Sequence, residues 1–526
     1  MKKKTIISLL AGAALCFSMP SCMDLDETVY DKLPGDDFGK TEVEINALVG
    51  NVHNTLRRYW PNNFFYLSEN IGSMAVTPTR RGGDWYDGGQ YYLLYTHNFN
   101  SQISAIKGSW NAATESIGAC NAAVYTIQNS TVLTDEQKTT KTADVRGIRA
   151  FWIYVMMDFW GNIPLLTEYN PTDKVLPSCT PRQEVFDWLV QELNEIKDQC
   201  PEPTQENYAC FTQGAAYTLL AKLYLNADAW GVTTSENNYQ KVVEYCDKVM
   251  AMGYILEPVW TDNFSISNNN SREAIFACAF SASDTENTNG FHYNTLHYKD
   301  GAVFGANFQG NNGVCAQPGY VKLFPEDDPR REASFMLGQS YDANTGAALM
   351  TDHGRPLIHT VDVTMVPGSE YAGTNWGYVE QEDGGRCWKW MYTSDLTSAM
   401  ENDFHIFRYA DIYLMKAEAL LRGAGSAGEA TTLVNAIRER AYGNADHNYS
   451  TVTLDDVQLE RRLEFAWEAM SRQDDIRFGC YETGMWPESN CDRLTDEHLK
   501  LLPISQDAWQ VNPNLTQNPG YPAFSE

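Results

Sequence analysis

The sequence predicts a mostly α-helical protein of paired amphipathic helices, with minor β and one long irregular, loop-rich segment. Three observations predict it. Apolar residues recur at three- and four-residue spacing through much of 41–252 and again after 408. Between 254 and 403 that periodicity fades, and Gly, Asn, Pro and aromatic residues become frequent. Strand signals are sparse, and residues 273–280 are the one run placed as a short strand. At 526 residues, 43% of them hydrophobic and 12% aromatic, the chain can bury a large core.

The first element is a leader. Lys2, Lys3 and Lys4 precede an apolar stretch at 5–17, and Ser21 stands directly before Cys22. This is the pattern of an export signal. The stretch is too short to span a bilayer core of roughly 30 Å, which takes ~20 apolar residues. A cysteine at the cleavage point resembles a bacterial lipoprotein signal, with 1–21 removed and Cys22 lipidated, although Met19 stands where such signals usually carry Leu. The alternative is an ordinary secretory leader with Cys22 a plain thiol. Residues 22–37, with Asp24, Asp26, Glu27, Asp31, Asp36 and Asp37, form an acidic tether.

Helices follow. Residues 41–59 place Val43, Ala47, Leu48 and Val52 at helical spacing, and 103–127 and 141–159 continue the pattern. Thr180, Pro181 and Gln183 predict a helix start with a capping box, ahead of the stripe Phe186, Leu189, Val190, Leu193, Ile196. Residues 213–229 carry a stripe from Ala216 to Ala227, and 239–252 pair with them before Gly253 ends the second helix. Residues 411–421 and 428–440 form a further hairpin. Such hairpins cannot bury their apolar faces alone, and stacking them is the tetratricopeptide plan. The change of texture divides the chain at 253, into a helical region of 38–253 and a second region of 254–526.

The net charge of −29 (39 basic, 68 acidic) repels phosphate and disfavours nucleic acid as a partner, while neutral ligands such as sugars remain compatible. No later stretch is long and apolar enough to span a membrane. Ten cysteines beyond Cys22 show no CxxC and no regular spacing, so they are expected as small buried residues; Cys480 and Cys491 are near enough in sequence to pair, without anything demanding it.

Four runs stand out: Arg408-Tyr409-Ala410-Asp411 continuing to Ala419, Glu460-Arg461-Arg462-Leu463-Glu464-Phe465 continuing to Arg477, the closing Leu502-Pro503-Ile504 with Asn512-Pro513-Asn514-Leu515 and Gln517-Asn518-Pro519-Gly520-Tyr521, and Asp328-Pro329-Arg330-Arg331. Together they resemble the SusD/RagB family of surface nutrient-binding lipoproteins of Bacteroidetes. The resemblance implies tetratricopeptide-like hairpins and an irregular binding face. It implies an outer-membrane, cell-surface location through the lipid anchor, and a SusC-like TonB-dependent transporter that the protein caps as a lid. It implies no cofactor. The charged residues of these runs read as structural: Glu464, Glu468, Arg472 and Asp475 recur at three- to four-residue spacing, as on one helix face, and opposite charges there form an ion network.

The ligand candidates lie elsewhere. In 80–92, four glycines surround Trp85 and Tyr86, flanked by Asp84 and Asp87. The glycines allow a tight loop and prevent a regular helix. Large aromatic rings on such a loop suit the apolar face of a sugar, with carboxylate and guanidinium groups for its hydroxyls. Carbohydrate-binding candidates are therefore Trp85, Tyr86, Asp84, Arg80 and Tyr91, with Tyr293 and Trp376 from the middle segment; Phe291, Tyr298 and Tyr378 are weaker ones. His292 and His297 read as surface or core residues before metal ligands, and no residue is assigned as a metal ligand. The expected function is capture of oligosaccharides without catalysis. A peptide-binding member of the same family is the alternative. A glycoside hydrolase would need two carboxylates held across a sugar, and Asp327, Asp328, Asp474 and Asp475 sit in the structural motifs. G-x-S-x-G, HExxH and P-loop motifs are absent from the sequence.

Overall fold

The computed structural model describes residues 39–169, 176–281, 283, 289–366, 377–395, 397, 399–482 and 493–525. The leader, Cys22, the tether, Trp376 and Cys491 lie outside the described residues. Helix α1 (Glu42–Tyr59) opens on a capping box, in which Thr41 Oγ1 accepts from the Glu44 N–H and the Glu44 carboxylate accepts from the Thr41 N–H. Its buried face is Ile45, Val52 and Leu56, while Val43 is 78% exposed. The stripe expected through Val43 and Ala47 is thus corrected. Val43 and Val52 are nine residues apart, which at ~3.6 residues per turn puts them on opposite sides of the helix.

The other long helices are α2 (Ser104–Gln128), α3 (Asp135–Trp160), α4 (Arg182–Ile196), α5 (Gln213–Trp230), α6 (Asn238–Met250), α7 (Tyr409–Ala419), α8 (Ala427–Tyr442) and α9 (Leu454–Phe465), followed by the short α10 (Ser471–Arg477). Each of α1 to α8 packs on the next, so the helices form a continuous row. The hairpins α2–α3, α5–α6 and α7–α8 join neighbours in sequence, while α6 meets α7 across the whole middle segment. Helices α3 and α5 are buried nearly all round from Thr142 and Gly214 onward, because both lie between layers. Gly147 allows the closest approach on α3: a Cβ there would sit 2.0 Å from a ring carbon of the buried Phe211.

The helix start at Thr180 differs from expectation. Thr180 enters a two-residue strand with Cys179, paired to Ile163–Pro164, and Pro181 takes the cap position without a side-chain cap. Gln183 bonds Asp187 and clamps both backbone groups of Thr233. A tertiary partner has replaced the local capping box.

The expected strand forms β1 (Ala274–Cys278). It pairs antiparallel with β2 (Phe404–Arg408), which leads directly into α7. This ladder closes the middle segment back onto the helices. One hydrophobic cluster extends from Ile45 to Leu515 and includes residues on both sides of Gly253. Six cysteines (Cys120, Cys200, Cys246, Cys278, Cys315 and Cys387) are buried in the described structure.

The charged signature runs are structural, but not on one helix face. Glu464 is on α9, Glu468 lies in the turn after it, and Arg472 and Asp475 are on α10. Arg408 donates to Glu273, Glu464 and Glu468 at 2.6–2.8 Å. Arg330 ties Asp328, Glu460 and Glu464 together, Arg461 joins Asp411 to Asp474, and Arg472 reaches Asp158 on α3. The closing signature is a clip. Asn518 donates to the carbonyls of Trp160 and Leu502, and Gln517 bonds both backbone groups of Ile504, strapping the C-terminal segment across the end of α3.

One buried acid opposes this pattern. Glu69, in the short helix Phe65–Ile71, is 1% exposed and among the described residues accepts only from the Ser471 N–H and hydroxyl. Burial pushes its carboxyl up to about 8. Between about 4.5 and 8 the folded chain holds a proton that the unfolded chain releases, so this group makes stability fall as pH rises through that window. Glu69→Gln, which retains an acceptor for Ser471, is expected to raise the urea midpoint at pH 8 and leave it unchanged at pH 4. Equal effects at both pH values would refute the assignment.

Candidate ligand-binding face

Loop 80–90 is held by its first arginine. Arg80 is 0% exposed, and its guanidinium donates to the backbone carbonyls of Asn312, Gly313, Glu380 and Asp383. The backbones of Arg80 and Val379 form a parallel bridge. Arg80 therefore braces the loop against two stretches of the middle segment and does not face a ligand. This corrects its expected role as a hydroxyl partner: a long side chain beside a glycine-rich turn finds backbone carbonyls closer than solvent.

Gly82, Gly83, Gly88 and Gly89 all have positive φ, as the tight turn requires. Trp85 (φ 63°) and Asp87 (φ 42°) share that left-handed region without being glycine. Each such residue costs about 1–2 kcal/mol, and strain of this kind persists only where surrounding contacts enforce it. For Trp85 those contacts are visible. Its indole N–H donates to the Asn311 carbonyl at 2.6 Å, its ring meets Tyr91 at 5.5 Å, and a Cβ on Gly313 would lie 2.4 Å from that ring. Trp85 is half-buried, with one part of the ring against the 311–313 backbone.

Tyr293 is 37% exposed, and its carbonyl accepts from the Asn311 N–H. Asn311 thus joins Trp85 to Tyr293. Asp84 is exposed, and its carboxylate accepts from the Tyr298 hydroxyl. Burial, with Asp84 adding to it, pushes the Tyr298 phenol well above its ordinary value, so it stays protonated and donates. Tyr91 is half-buried on the core, and burial with the nearby Asp87 carboxylate pushes its phenol up to about 12. Tyr86 is half-buried within the turn. The structure therefore brings Asp84, Trp85, Tyr91 and Tyr293 together with Tyr298, from segments about 200 residues apart.

Other middle-segment residues fall in the core. Phe291 is 1% exposed and packs on Phe65, Trp390 and Trp467. His292 and His297 are 0% exposed, and burial lowers them to about 4 and about 3, so both are neutral interior groups. Tyr378 is half-buried, bridged to Val366. Sequence reasoning missed Asn311 and Phe308, which position Trp85 and Tyr293. Their only local signal is the Gly310-Asn311-Asn312-Gly313 cluster, which marks a turn without saying what it supports.

Among the described residues, cavities also open elsewhere. One of about 290 Å³ lies beside Tyr254 and one of about 520 Å³ beside His53, on either side of Tyr208, and one of about 570 Å³ lies beside Trp388. None of the three is lined by loop 80–90.

The family described as SusD family matches residues 272–521, and the one described as "Starch-binding associating with outer membrane" matches 25–225. The chain belongs to the SusD family. It is 28% identical over 427 residues to the starch-binding protein SusD of Bacteroides thetaiotaomicron, covering 74% of each chain. It is 25% identical over 493 residues to a SusD-like protein of Bacteroides ovatus, covering 91% of this chain and 83% of the other. Among solved structures, a SusD superfamily protein from Parabacteroides distasonis superposes with a TM-score of 0.73 at 20% identity, over 93% of this chain and all of the other. A laminarin-binding SusD-like protein gives 0.71 at 22%, over 92% of this chain and all of the other. The SusD-type fold is thus the mostly helical one described above, and in this chain the Arg408-Tyr409-Ala410-Asp411 and Glu460-Arg461-Arg462 runs supply buried ion pairs. Among the described residues, no helix is long and apolar enough to cross a membrane.

Proposed function

We propose that the chain is a cell-surface glycan-binding lipoprotein, anchored in the outer membrane through Cys22. It captures oligosaccharides without cleaving them and passes them to a SusC-like TonB-dependent transporter, over which it acts as a lid. The observation that carries the glycan reading is the convergence of Trp85, Tyr91, Tyr293 and Asp84 on one face, the tryptophan held in a strained backbone by Asn311 and Gly313. Half-buried rings with polar groups at their edges suit a sugar's apolar face and its hydroxyls. The names of relatives support the same class: a starch-binding protein, a laminarin-binding protein and a surface glycan-binding protein of Bacteroides thetaiotaomicron in complex with laminarihexaose. Those relatives are named for binding, not for an enzymatic activity.

Affinity electrophoresis in gels containing single polysaccharides tests the reading. At least one neutral polysaccharide is expected to retard the protein, with no reducing sugar released. Trp85→Ala is expected to weaken that binding about tenfold, the loss of one good ring stack of ~1.4 kcal/mol. Retardation by no glycan, together with binding to oligopeptides, would replace the glycan with a peptide ligand.

A further inference from the structure

The cavity of about 570 Å³ beside Trp388 has the chemistry of a ligand site, and the loop residues do not enter it. Its wall includes Arg331 and Glu332 from the short helix Pro329–Ser334, Gln339 and Tyr341 from the hairpin that follows, and Trp388. Arg330 and Arg331 are adjacent but differ in what they meet. Arg330 is buried among Asp328, Glu460 and Glu464. Arg331 is half-buried at the cavity wall and has no ion-pair or hydrogen-bond partner for its guanidinium among the described residues. With 68 acidic residues against 39 basic, a carboxylate would be the ordinary neighbour of such a group.

The same holds for three more groups on that wall. The Trp388 indole N–H, the Tyr341 hydroxyl and the Glu332 carboxylate have no side-chain partner among the described residues. The supports behind them are in place. Trp388 stacks on Phe304 at 5.3 Å and 29°, and its backbone N–H donates to Ser334. Gln339 is pinned by two bonds from its side-chain amide to the carbonyls of Ser340 and Leu349. A rigid ring with solvent-facing donors and an acceptor around it is a prepared surface for a polyhydroxylated ligand.

We propose that this cavity is a second glycan subsite, taking a segment of neutral oligosaccharide, with Trp388 as the stacking ring and Arg331, Glu332 and Tyr341 as hydroxyl partners. The inference rests on the glycan reading above. The ligand is neutral because the guanidinium and the carboxylate offset each other, and together they match the donor and acceptor of adjacent hydroxyls. A row of ring contacts leads from Trp388 through Phe304, Tyr392, His292 and Phe308 to Tyr293 at the loop face, at 5.3, 5.1, 6.0, 5.0 and 6.2 Å. The two surfaces are therefore ends of one aromatic row. A polysaccharide that reaches both gains avidity unavailable to a short oligomer.

The test uses the protein in affinity gels containing amylose, laminarin, xylan, galactan or mannan, with thermal melting of each variant as the folding control. The Arg331 and Tyr341 side chains have no internal partners, so Arg331→Ala and Tyr341→Ala should melt like the parent. With the polysaccharide that retards the parent, Arg331→Ala and Trp388→Ala are each expected to weaken retardation about three- to tenfold, and Trp388→Phe less than about twofold. Parent-like retardation of Arg331→Ala, Tyr341→Ala and Trp388→Ala would overturn the subsite while leaving the loop reading intact. Loss in the cavity variants with Trp85→Ala unaffected would uphold the subsite and remove the loop. A parent that no gel retards would overturn the glycan reading and the subsite with it.

Discussion

Arg408→Ala is expected to lower stability by about 3–5 kcal/mol, the cost of removing one partner from a buried ion pair. Arg408 is 1% exposed, stands at the junction of β2 and α7, and satisfies three carboxylates at once. Its Nε and Nη2 grip Glu468 as a fork, while Nη1 bridges Glu273 and Glu464. Without it Glu468 retains Lys389, and Glu273 and Glu464 retain Arg440. Glu464 also keeps Arg330, but that guanidinium already serves Asp328 and Glu460, so the acids are left short of positive charge around a cavity. Against a typical total of about 5–15 kcal/mol, that loss is a large share of the stability. Urea unfolding followed by tryptophan fluorescence measures it. Arg408→Lys should recover little, because an ammonium cannot form the planar fork. A shift below about 1 kcal/mol for the alanine variant would contradict the account.

The same network dictates an acid limit. Burial alone would push the Glu464 carboxyl up, but the guanidiniums of Arg440, Arg408 and Arg330 outweigh it and hold it well below the usual range. Asp411 is likewise depressed, burial being outweighed by Lys222 and Arg461. Such groups contribute stability that is fully present above about pH 4.5 and is lost as pH falls through their folded values. Glu69 acts in the opposite direction between about pH 4.5 and 8, while the buried neutral His292 and His297 add stability as pH rises toward about 6.5, so the parent's stability is expected to fall steeply below about pH 4.5.

Trp467→Ala is expected to cost a further about 3–5 kcal/mol when made alone, as for other buried large-to-small changes. Trp467 is 0% exposed and sits in the turn between Glu464 and Glu468, with a positive φ of 68°. Its ring meets Phe65, Phe291 and Phe335 with centroids 6.2–6.4 Å apart, and its indole N–H donates to the Ser334 carbonyl at 2.9 Å. Lys389 secures the same turn by donating to the carbonyls of Glu464 and Ala466. This tryptophan therefore joins the ion network to the aromatic core under Phe291. Thermal melting of Trp467→Ala, Trp467→Phe and the double variant with Arg408→Ala would measure the link. The double loss is expected to be less than the sum of the singles, since both changes loosen one turn. Full additivity would mean that the two supports are independent.

Much of the fold is legible in the sequence, and the errors are instructive. The helices of 103–127, 141–159, 213–229 and 239–252 stand close to where their spacing places them, because long periodic stretches report the buried face directly. Val43 and Ala47 misled because two apolar residues near a helix start are too few to fix the phase of its buried face. Thr180 and Gln183 form a valid local cap signal that lost to a strand and to the Thr233 backbone. Glu464, Glu468, Arg472 and Asp475 have helical spacing across a turn that spacing alone does not reveal. At the candidate face, the composition of 80–92 pointed to the loop, but Arg80 appeared there as a ligand partner when it is a brace. Asn311 carried only a turn signal, since its contribution to Trp85 is a backbone carbonyl.

By itself the sequence determined that the protein is mostly helical, belongs with the SusD family, and uses its signature charges for structure. Those properties follow from residue spacing and from motifs that lie within one stretch of chain. Only the tertiary structure decided which aromatic rings face outward. Phe291, His292 and Tyr293 are consecutive, yet two are buried in the core and one is 37% exposed. Which of them turns toward solvent depends on Phe65, Trp467 and Asn311, contacts made across up to 226 residues. A ring's chemistry is written in its own residue, but its exposure is set by what the rest of the chain packs against it.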